Sequence, residues 1–289
     1  MSTLTDDPFS ANFAWPSPAK LNLFLHVTGR REDGYHLLQT LFQFVDLVDH
    51  LHFQQRGDGQ INLLTPVAGV ATQDNLIVRA ARKLQSVSGA PIGVDIRVDK
   101  CIPTGAGLGG GSSNAATTLI ALNRLWNLGF PTDELADIGL ALGADVPVFV
   151  RGHAAWAEGI GERLSPVDLP EPWYLLLLPP VSVLTADIFA APDLRRDHPW
   201  VRFEDYQDGL CGNDCETVTC ERHPEVAEAL AWARRFGPAR MSGTGACVFL
   251  ETADRASAET LVAQAPPAWR PCAVRGLNRS PLAAIMRGL

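Results

Sequence analysis

Residues 103–117 read Pro-Thr-Gly-Ala-Gly-Leu-Gly-Gly-Gly-Ser-Ser-Asn-Ala-Ala-Thr, and five of the seven residues from Gly105 to Gly111 are glycine. Glycine tolerates positive φ and lets a ligand approach the backbone closely. An apolar pattern with helical spacing follows, at Ala115, Ala116, Leu119, Ile120, Leu122 and Leu125. A glycine loop that leads directly into a helix collects free N–H groups around an anion. A flexible connector is the alternative, but connectors rarely lead into a regular helical pattern.

This loop differs from the two commonest phosphate-binding motifs. It lacks the Gly-Lys-Ser/Thr ending of the Walker loop, so it brings no lysine of its own to the phosphates. Its glycine spacing can be fitted to a dinucleotide fingerprint, although that match alone has low specificity. We therefore predict a nucleotide polyphosphate site of another type. Ser112 and Ser113 fall in the first helical turn, where a hydroxyl can face a phosphate or Mg²⁺, or act only as a helix cap.

Composition narrows the class of protein. The chain has 289 residues, of which 46% are hydrophobic and 19% charged, as expected of a globular protein with a full core. Its formal net charge of −8 argues against a nucleic-acid partner, which would require clustered lysine and arginine. No apolar run approaches the ~20 residues of a membrane span, and the acidic start does not resemble a secretory signal. We expect a cytoplasmic protein with a disordered extension over residues 1–14.

Six cysteines raise the question of a metal site. Cys211, Cys215 and Cys220 have spacings of four and five, whereas zinc sites usually pair cysteines two residues apart. His223 could serve as a fourth ligand. Reduced thiols of a cytosolic enzyme explain the same residues, and we therefore predict no bound metal among the cysteines.

The order of elements predicts a mixed α/β fold in two parts. Residues 13–27 are expected to form a strand, because their second half alternates between apolar and polar residues. Helices are expected at residues 74–88, capped by Asp74, and at 133–142, capped by Thr132. Three prolines at residues 166–172 mark a boundary between residues 15–165 and residues 166–289. Beyond that boundary the pattern strand–helix–strand–strand–helix–strand predicts a ferredoxin-like half.

Two charged residues lie in strongly apolar sequence. Asp145 follows Gly143-Ala144 and precedes Val146-Pro147, a setting that is costly for a carboxylate unless it is paired or functional. Lys20 interrupts the apolar first strand. Taken singly, Asp145 is explained as a capping or ion-paired residue and Lys20 as an edge-strand lysine. Together with the glycine loop, the two residues predict the catalytic pair of a kinase, because phosphoryl transfer requires positioning and positive charge.

Six segments, in this order, resemble the GHMP kinase family, which is named for galactokinase, homoserine kinase, mevalonate kinase and phosphomevalonate kinase. They are Pro18–Leu25, Arg31–Thr40, Asp74–Ile77, Leu108–Ala116, Gly143–Pro147 and Ser242–Ala246. The resemblance implies an N-terminal S5-domain-2-like, ATP-binding half and a C-terminal ferredoxin-like half. It also implies ATP and Mg²⁺ as cofactors and Lys20 with Asp145 as the catalytic pair. The segment around Tyr35-His36 resembles the corresponding segment in one branch of the family. The resemblance therefore implies phosphorylation of the 2-hydroxyl of 4-diphosphocytidyl-2-C-methyl-D-erythritol in the non-mevalonate isoprenoid pathway.

Binding residues follow from the same resemblance. ATP is expected to contact Pro103, Gly105, Gly107, Leu108, Gly109, Gly110, Gly111, Ser112, Ser113, Asn75 and Lys100. The small-molecule acceptor, a cytidine diphosphate derivative, is expected to contact Asn22, Tyr35, His36, Trp156, Ile160, Thr185 and Phe189. Tyr35 can stack on a pyrimidine and His36 can hydrogen-bond a base edge. We expect a monomer or weak homodimer.

Other functions share parts of this pattern. A sister kinase for mevalonate, homoserine or a sugar would have the same phosphate loop but lack the Gly-Tyr-His segment. A related decarboxylase would release CO₂ after phosphorylation. A non-catalytic ligand sensor on this scaffold would typically have lost Lys20 or Asp145, and both residues are present.

Overall fold

A computed structural model describes residues 13–67 and 69–288. The strands are β1 (Trp15–Arg30), β2 (His36–Arg56), β3 (Ile61–Leu63), β4 (Gly93–Asp99), β5 (Ala155–Glu158), β6 (Arg163–Pro166), β7 (Trp173–Leu177), β8 (Arg240–Met241), β9 (Val248–Thr252) and β10 (Cys272–Leu277). The α-helices are α1 (Leu76–Ser88), α2 (Gly110–Leu125), α3 (Thr132–Leu140), α4 (Val146–Arg151), α5 (Thr185–Ala190), α6 (Phe203–Gln207), α7 (Glu216–Arg222), α8 (Pro224–Ala233), α9 (Arg255–Gln264) and α10 (Pro281–Gly288). Single 3₁₀ turns lie at Thr72–Asp74 and Pro267–Trp269.

The first half of the chain is organised around the long antiparallel pair of β1 and β2. Every residue of β1 from Trp15 to Val27 is buried, so its apolar and polar faces are both covered. Strand β3 pairs parallel with β4, and β4 pairs antiparallel with residues 50–56 of β2. Strand β5 pairs antiparallel with residues 40–42 of β2. Helices α1 and α2 cover this sheet, and their apolar faces pack with Phe44, Leu51 and Phe53 in one core.

The second half has the ferredoxin-like order that the sequence predicted. Its four strands follow the order β10–β7–β9–β8, and all their pairings are antiparallel. Strand β10 also pairs with β2 through Gly276 and Leu277, so one ten-stranded sheet runs through both halves. A separate core, which includes Leu21, Leu176 and Phe249, fills the space between the halves.

The element boundaries differ from the sequence-based expectation at a few places. Asn75, not Asp74, is the N-cap of α1, and its side chain accepts a hydrogen bond from the Ile77 N–H at 2.9 Å. Helix α3 begins at Thr132 itself, after Pro131, and ends at Leu140. Helix α4 was not predicted, because its alternating valines resemble a strand although Pro147 suits a first helical turn. Helices α6, α7 and α10 were missed as well.

The proline-rich segment that predicts a domain boundary connects β6, which ends at Pro166, to β7, which begins at Trp173. Most of the predicted N-terminal extension, residues 1–12, lies outside the described residues. Its penultimate residue, Phe13, packs edge-on against Trp15 with ring centroids 5.2 Å apart.

Candidate active site

A cleft between the two halves has two adjoining compartments. The first, here the loop compartment, has a volume of about 410 Å³ and is lined by the glycine loop together with Lys20, Asn22, Asn75 and Lys100. The second, here the outer compartment, has a volume of about 640 Å³ and is lined by Tyr35, His36, Thr185, Phe189 and their neighbours. Six residues line both compartments and therefore mark their junction: Leu38, Ser112, Asp145, Ile160, Thr185 and Phe189.

The glycine loop requires glycine at alternate positions. Gly105, Gly107 and Gly109 have φ values of 69°, 72° and 69°. A Cβ atom at Gly107 would lie 2.2 Å from the backbone oxygen of Ser242, in the turn between β8 and β9. That turn supports the loop from behind, and the Cys247 N–H donates to the Ala106 carbonyl at 3.0 Å.

Helix α2 starts where the loop ends. Gly109 occupies its N-cap position, and Ser113 makes the first helical hydrogen bond, from its N–H to the Gly109 carbonyl at 2.8 Å. The amides of the preceding helical residues have no acceptor within the helix, as in any first turn. Since these residues line the loop compartment, the amides and the positive end of the helix dipole are available to an anion there.

Lys20 and Asp145 meet at the floor of the cleft. The Lys20 ammonium lies 3.5 Å from the Asp145 carboxylate and donates a hydrogen bond of 3.1 Å to the Gly107 carbonyl. It also donates to the Asn22 side chain, whose Nδ2 in turn donates to Thr40 Oγ1 at 2.9 Å. Lys20 is buried, whereas 35% of the Asp145 side chain is exposed to the cleft.

The geometry bears on the alternative explanation of Asp145 as a helix cap. Asp145 occupies the N-cap position of α4, but its side chain makes no capping hydrogen bond. Its carboxylate is therefore directed to Lys20 and the cleft rather than to the helix backbone. Asp145 and Ser112 both lie at the junction of the compartments, where a reacting group in either compartment could reach them.

An aromatic pair forms one wall of the outer compartment. The His36 ring stacks on Phe189 with centroids 4.9 Å apart and an interplanar angle of 23°. The Arg196 guanidinium donates from Nε to His36 Nε2 at 3.1 Å and from Nη2 to the Phe189 carbonyl at 2.9 Å. Burial, and after it the charges of Arg196 and Arg30, lowers the pKa of His36 below its usual value of 6.5. The ring therefore favours its neutral form, with Nε2 as an acceptor.

The comparisons with known proteins agree with this geometry. Residues 75–153 match the family described as GHMP kinases N terminal domain, and residues 190–270 match GHMP kinases C terminal. Two strains of Pseudomonas aeruginosa, LESB58 and PAO1, each have a 4-diphosphocytidyl-2-C-methyl-D-erythritol kinase that is 55% identical to this chain. Each alignment covers 94% of this chain and 97% of the relative. The chain belongs to the GHMP kinase family.

Solved structures support the family assignment. A crystal structure of 4-(cytidine 5'-diphospho)-2C-methyl-D-erythritol kinase superimposes with a TM-score of 0.79 at 33% identity, covering 91% of this chain and 99% of that one. The Methanococcus jannaschii mevalonate kinase superimposes with a TM-score of 0.63 at 15% identity, covering 93% of this chain and 98% of that one, which shows a shared fold only. The chain is thus a small-molecule kinase of the GHMP type.

The structure of this GHMP kinase does not bring two of the predicted site residues to the cleft. The Ser113 side chain is fully buried, and its hydroxyl accepts a hydrogen bond from Ser17 at 2.8 Å. Adjacent helical residues point about 100° apart, so only Ser112 of this pair faces the cleft. The Trp156 ring packs against Phe24 instead, at a centroid distance of 5.0 Å, and lines neither compartment.

Arg196 and Thr244 are among the residues of this GHMP kinase that line or support the cleft and that sequence reasoning overlooked. Arg196 orients His36 although the two are 160 positions apart, and nothing in its local sequence signals that contact. Thr244 lines the loop compartment and shares a 3.1 Å hydrogen bond with Thr185. The glycines around Thr244, which lie in a segment already linked to the family, were the available signal.

The kinase offers oxygen ligands rather than a preformed metal cage. Within residues 13–67 and 69–288, no three histidine, cysteine or acidic side chains come together as a metal cluster. The carboxylate of Asp145 and the hydroxyl of Ser112 suit Mg²⁺, which usually takes one or two protein oxygens and fills its shell with phosphate and water. The cysteine thiols are free, and burial raises the pKa of Cys215 to about 12.

None of the helices in the described part of the kinase combines the length and apolarity needed to cross a membrane.

Proposed function

We propose that this GHMP kinase transfers the γ-phosphoryl group of ATP to the 2-hydroxyl of 4-diphosphocytidyl-2-C-methyl-D-erythritol, a reaction of the non-mevalonate isoprenoid pathway. The proposal rests on the position of Asp145, which lies at the junction of the two compartments and pairs with Lys20 of the loop compartment. One compartment has the chemistry of a polyphosphate site and the other that of an aromatic base site. The 55% identical relatives are named for the same reaction.

The loop compartment is the proposed ATP site. Its walls supply backbone amides from Gly107 to Ser112, the N-terminus of α2 and the Lys100 ammonium, all of which favour phosphate oxygens. Pro103, Gly105, Leu108 and Asn75 line the same compartment and would contact the rest of the nucleotide. ATP would supply the phosphoryl group, and Mg²⁺, held by Asp145 and Ser112 with the phosphates, would neutralise charge on it.

The outer compartment is the proposed acceptor site. Tyr35 is 58% exposed at its rim, and the His36–Phe189 stack forms a flat wall behind, an arrangement that suits a pyrimidine ring. Because Arg196 donates to Nε2, the neutral His36 ring carries its proton on Nδ1 and can donate it to a base acceptor. Ile160 and Thr185, at the junction, would contact the remainder of the acceptor, and Asn22, which lines the loop compartment beside Lys20, would contact its reacting end. Trp156 lines neither compartment and is not part of the proposed site.

Asp145 and Lys20 would perform the chemistry. The Asp145 carboxylate would orient the 2-hydroxyl and take its proton as the hydroxyl oxygen attacks the phosphorus. The Lys20 ammonium, fixed by Gly107 and Asn22, would hold positive charge beside the transferring group without reorganisation. Lys20 lies within β1, and Asp145 occupies the N-cap position of α4.

A set of acceptor assays tests the proposal. ADP release is measured with the purified kinase and 4-diphosphocytidyl-2-C-methyl-D-erythritol, mevalonate, homoserine or galactose, and the phosphorylated product is located by ³¹P NMR. Turnover with the cytidine diphosphate derivative should exceed turnover with the others by at least about 100-fold. Equal or greater turnover with another acceptor would reject the assignment, and CO₂ release would indicate a decarboxylase.

The sequence-based expectations on location and assembly remain predictions. A cytoplasmic protein is expected, with a small-molecule substrate and no nucleic-acid partner. Analytical ultracentrifugation at micromolar concentration would distinguish the expected monomer or weak homodimer from a stable higher oligomer.

A further inference from the structure

A buried carboxylate on β2 lies directly behind the loop compartment. The Asp49 side chain is completely buried, and four hydrogen-bond donors surround its two oxygens. Oδ1 accepts from the backbone N–H of Cys101 at 2.7 Å and of Ile102 at 2.8 Å. Oδ2 accepts from the Asn114 side chain at 2.9 Å and from the Lys100 ammonium. A buried carboxylate with donors on both oxygens is held in one orientation.

These donors belong to both ends of the glycine loop. Cys101 and Ile102 lead into the loop from β4, whereas Asn114 lies on α2 just after it. Asp49 therefore joins the residues that precede the loop to the helix that follows it. The Asn114 side chain is fully used in this network, because its Nδ2 also donates to Ser17 at 2.8 Å and its Oδ1 accepts from Lys100 at 3.1 Å.

Lys100 occupies an electrostatically unfavourable position. Its ammonium lies 3.5 Å from the point where Gly110 would carry a Cβ atom, beside the first residue of α2. A cation at a helix N-terminus is disfavoured by the helix dipole. Lys100 nonetheless lines the loop compartment, and 24% of its side chain remains exposed. The Asp49 carboxylate offsets this repulsion, so the ammonium can stay where an anion entering the compartment would meet it.

We propose that Asp49 is a positioning residue for the nucleotide: it holds Lys100 and the start of the glycine loop in the arrangement that binds the phosphates. The inference rests on the proposed function, because it takes the loop compartment as the ATP site. Asp49 itself is buried and acts through Lys100 and the loop amides.

The substitution Asp49→Asn tests the assignment. It leaves one oxygen for the two backbone amides but turns an NH₂ group toward the Lys100 ammonium. We expect the ADP dissociation constant, measured by calorimetry, to rise about 10-fold or more and KM for ATP to rise with it. KM for the acceptor should stay within about twofold. The matched control is Asp46→Asn on the same strand, whose carboxylate accepts from the Arg275 N–H and which should bind ADP normally.

A double-mutant cycle distinguishes positioning from a general structural role. Lys100→Met alone should weaken ADP binding about 10-fold, and Asp49→Asn should add less than about threefold on that background. The inference would be overturned if the ADP dissociation constant of the double variant rose by the product of the two single effects. Normal ADP binding by Asp49→Asn would overturn it as well. If Asp49→Asn does not fold, normal ADP binding by Lys100→Met overturns it alone. ADP binding is measured without the acceptor. If ADP binding changes as expected but the acceptor assays favour another substrate, only the proposed acceptor is rejected.

Discussion

Replacing Asp145 with asparagine removes the proposed base while preserving the shape of the side chain. The Lys20 ammonium keeps the Gly107 carbonyl and the Asn22 side chain as acceptors, so it is not left unpaired in the variant. Asp145 is 35% exposed, and an ion pair in that position contributes at most about 1 kcal/mol to stability. We therefore expect the melting temperature to change by no more than about 4 °C.

The effect on turnover should be far larger. A positioned general base accelerates proton transfer by about 10²–10⁴-fold, which corresponds to roughly 3–5 kcal/mol of activation free energy. Asp145→Asn should accordingly lower kcat at least about 100-fold, while calorimetry without Mg²⁺ shows ADP and acceptor binding within a few-fold of the wild type. Asp137→Asn, an exposed change on α3, serves as the matched control and should have wild-type kcat.

Two results would contradict a role of Asp145 as the base. Wild-type kcat in Asp145→Asn would remove Asp145 from the chemistry. A loss of turnover that is matched by a large drop in melting temperature would instead give Asp145 a structural role, contrary to its exposure and its missing capping bond.

Three further predictions concern the loop and the acceptor compartment. Gly107→Ala combines positive φ with a Cβ atom 2.2 Å from a backbone oxygen and should lower the unfolding free energy by about 3 kcal/mol in denaturant titrations. Gly57→Ala, in open space, should be nearly neutral, and equal losses in both would contradict the close packing of the loop. Tyr35→Ala should raise KM for the acceptor about 10-fold and leave KM for ATP unchanged, whereas Tyr35→Phe should restore the wild-type value; an unchanged KM in Tyr35→Ala would argue against stacking. Since its surroundings lower the pKa of His36, the ring stays neutral at pH 7, and KM for the acceptor should rise only as the pH falls below about 6.5. Arg196→Gln removes a charge that lowers this pKa and should move the rise to higher pH; an identical KM–pH profile in the variant would contradict the contact.

The sequence was informative where local pattern determines structure. The alternation in β1 and the glycine run before α2 identified both the strand that carries Lys20 and the loop that faces it. The ferredoxin-like half followed from the order of its strands and helices, which is typical of that motif. Lys20 and Asp145 were identified as a pair only because the loop had already indicated phosphoryl transfer.

The remaining features depend on contacts between distant parts of the chain. Arg196 reaches His36 across 160 positions, and Asp49 reaches Lys100 across 51, so neither contact has a local signature. Ser113 was assigned to the cleft together with Ser112 because adjacent residues in a glycine-rich segment look alike in sequence. The packing of α2 decides which face of the helix is buried, and the sequence of the two serines alone does not show which of them lies on that face.

In the proposed reaction, the terminal phosphate of ATP and the acceptor hydroxyl meet at Lys20 and Asp145. A crystal structure with a cytidine nucleotide and a non-hydrolysable ATP analogue measures this directly. We expect the γ-phosphate within hydrogen-bond distance of the Lys20 ammonium and the cytosine ring against Tyr35 and the His36–Phe189 stack. An analogue whose γ-phosphate lies away from both charged side chains, or a cytosine bound outside the outer compartment, would contradict it.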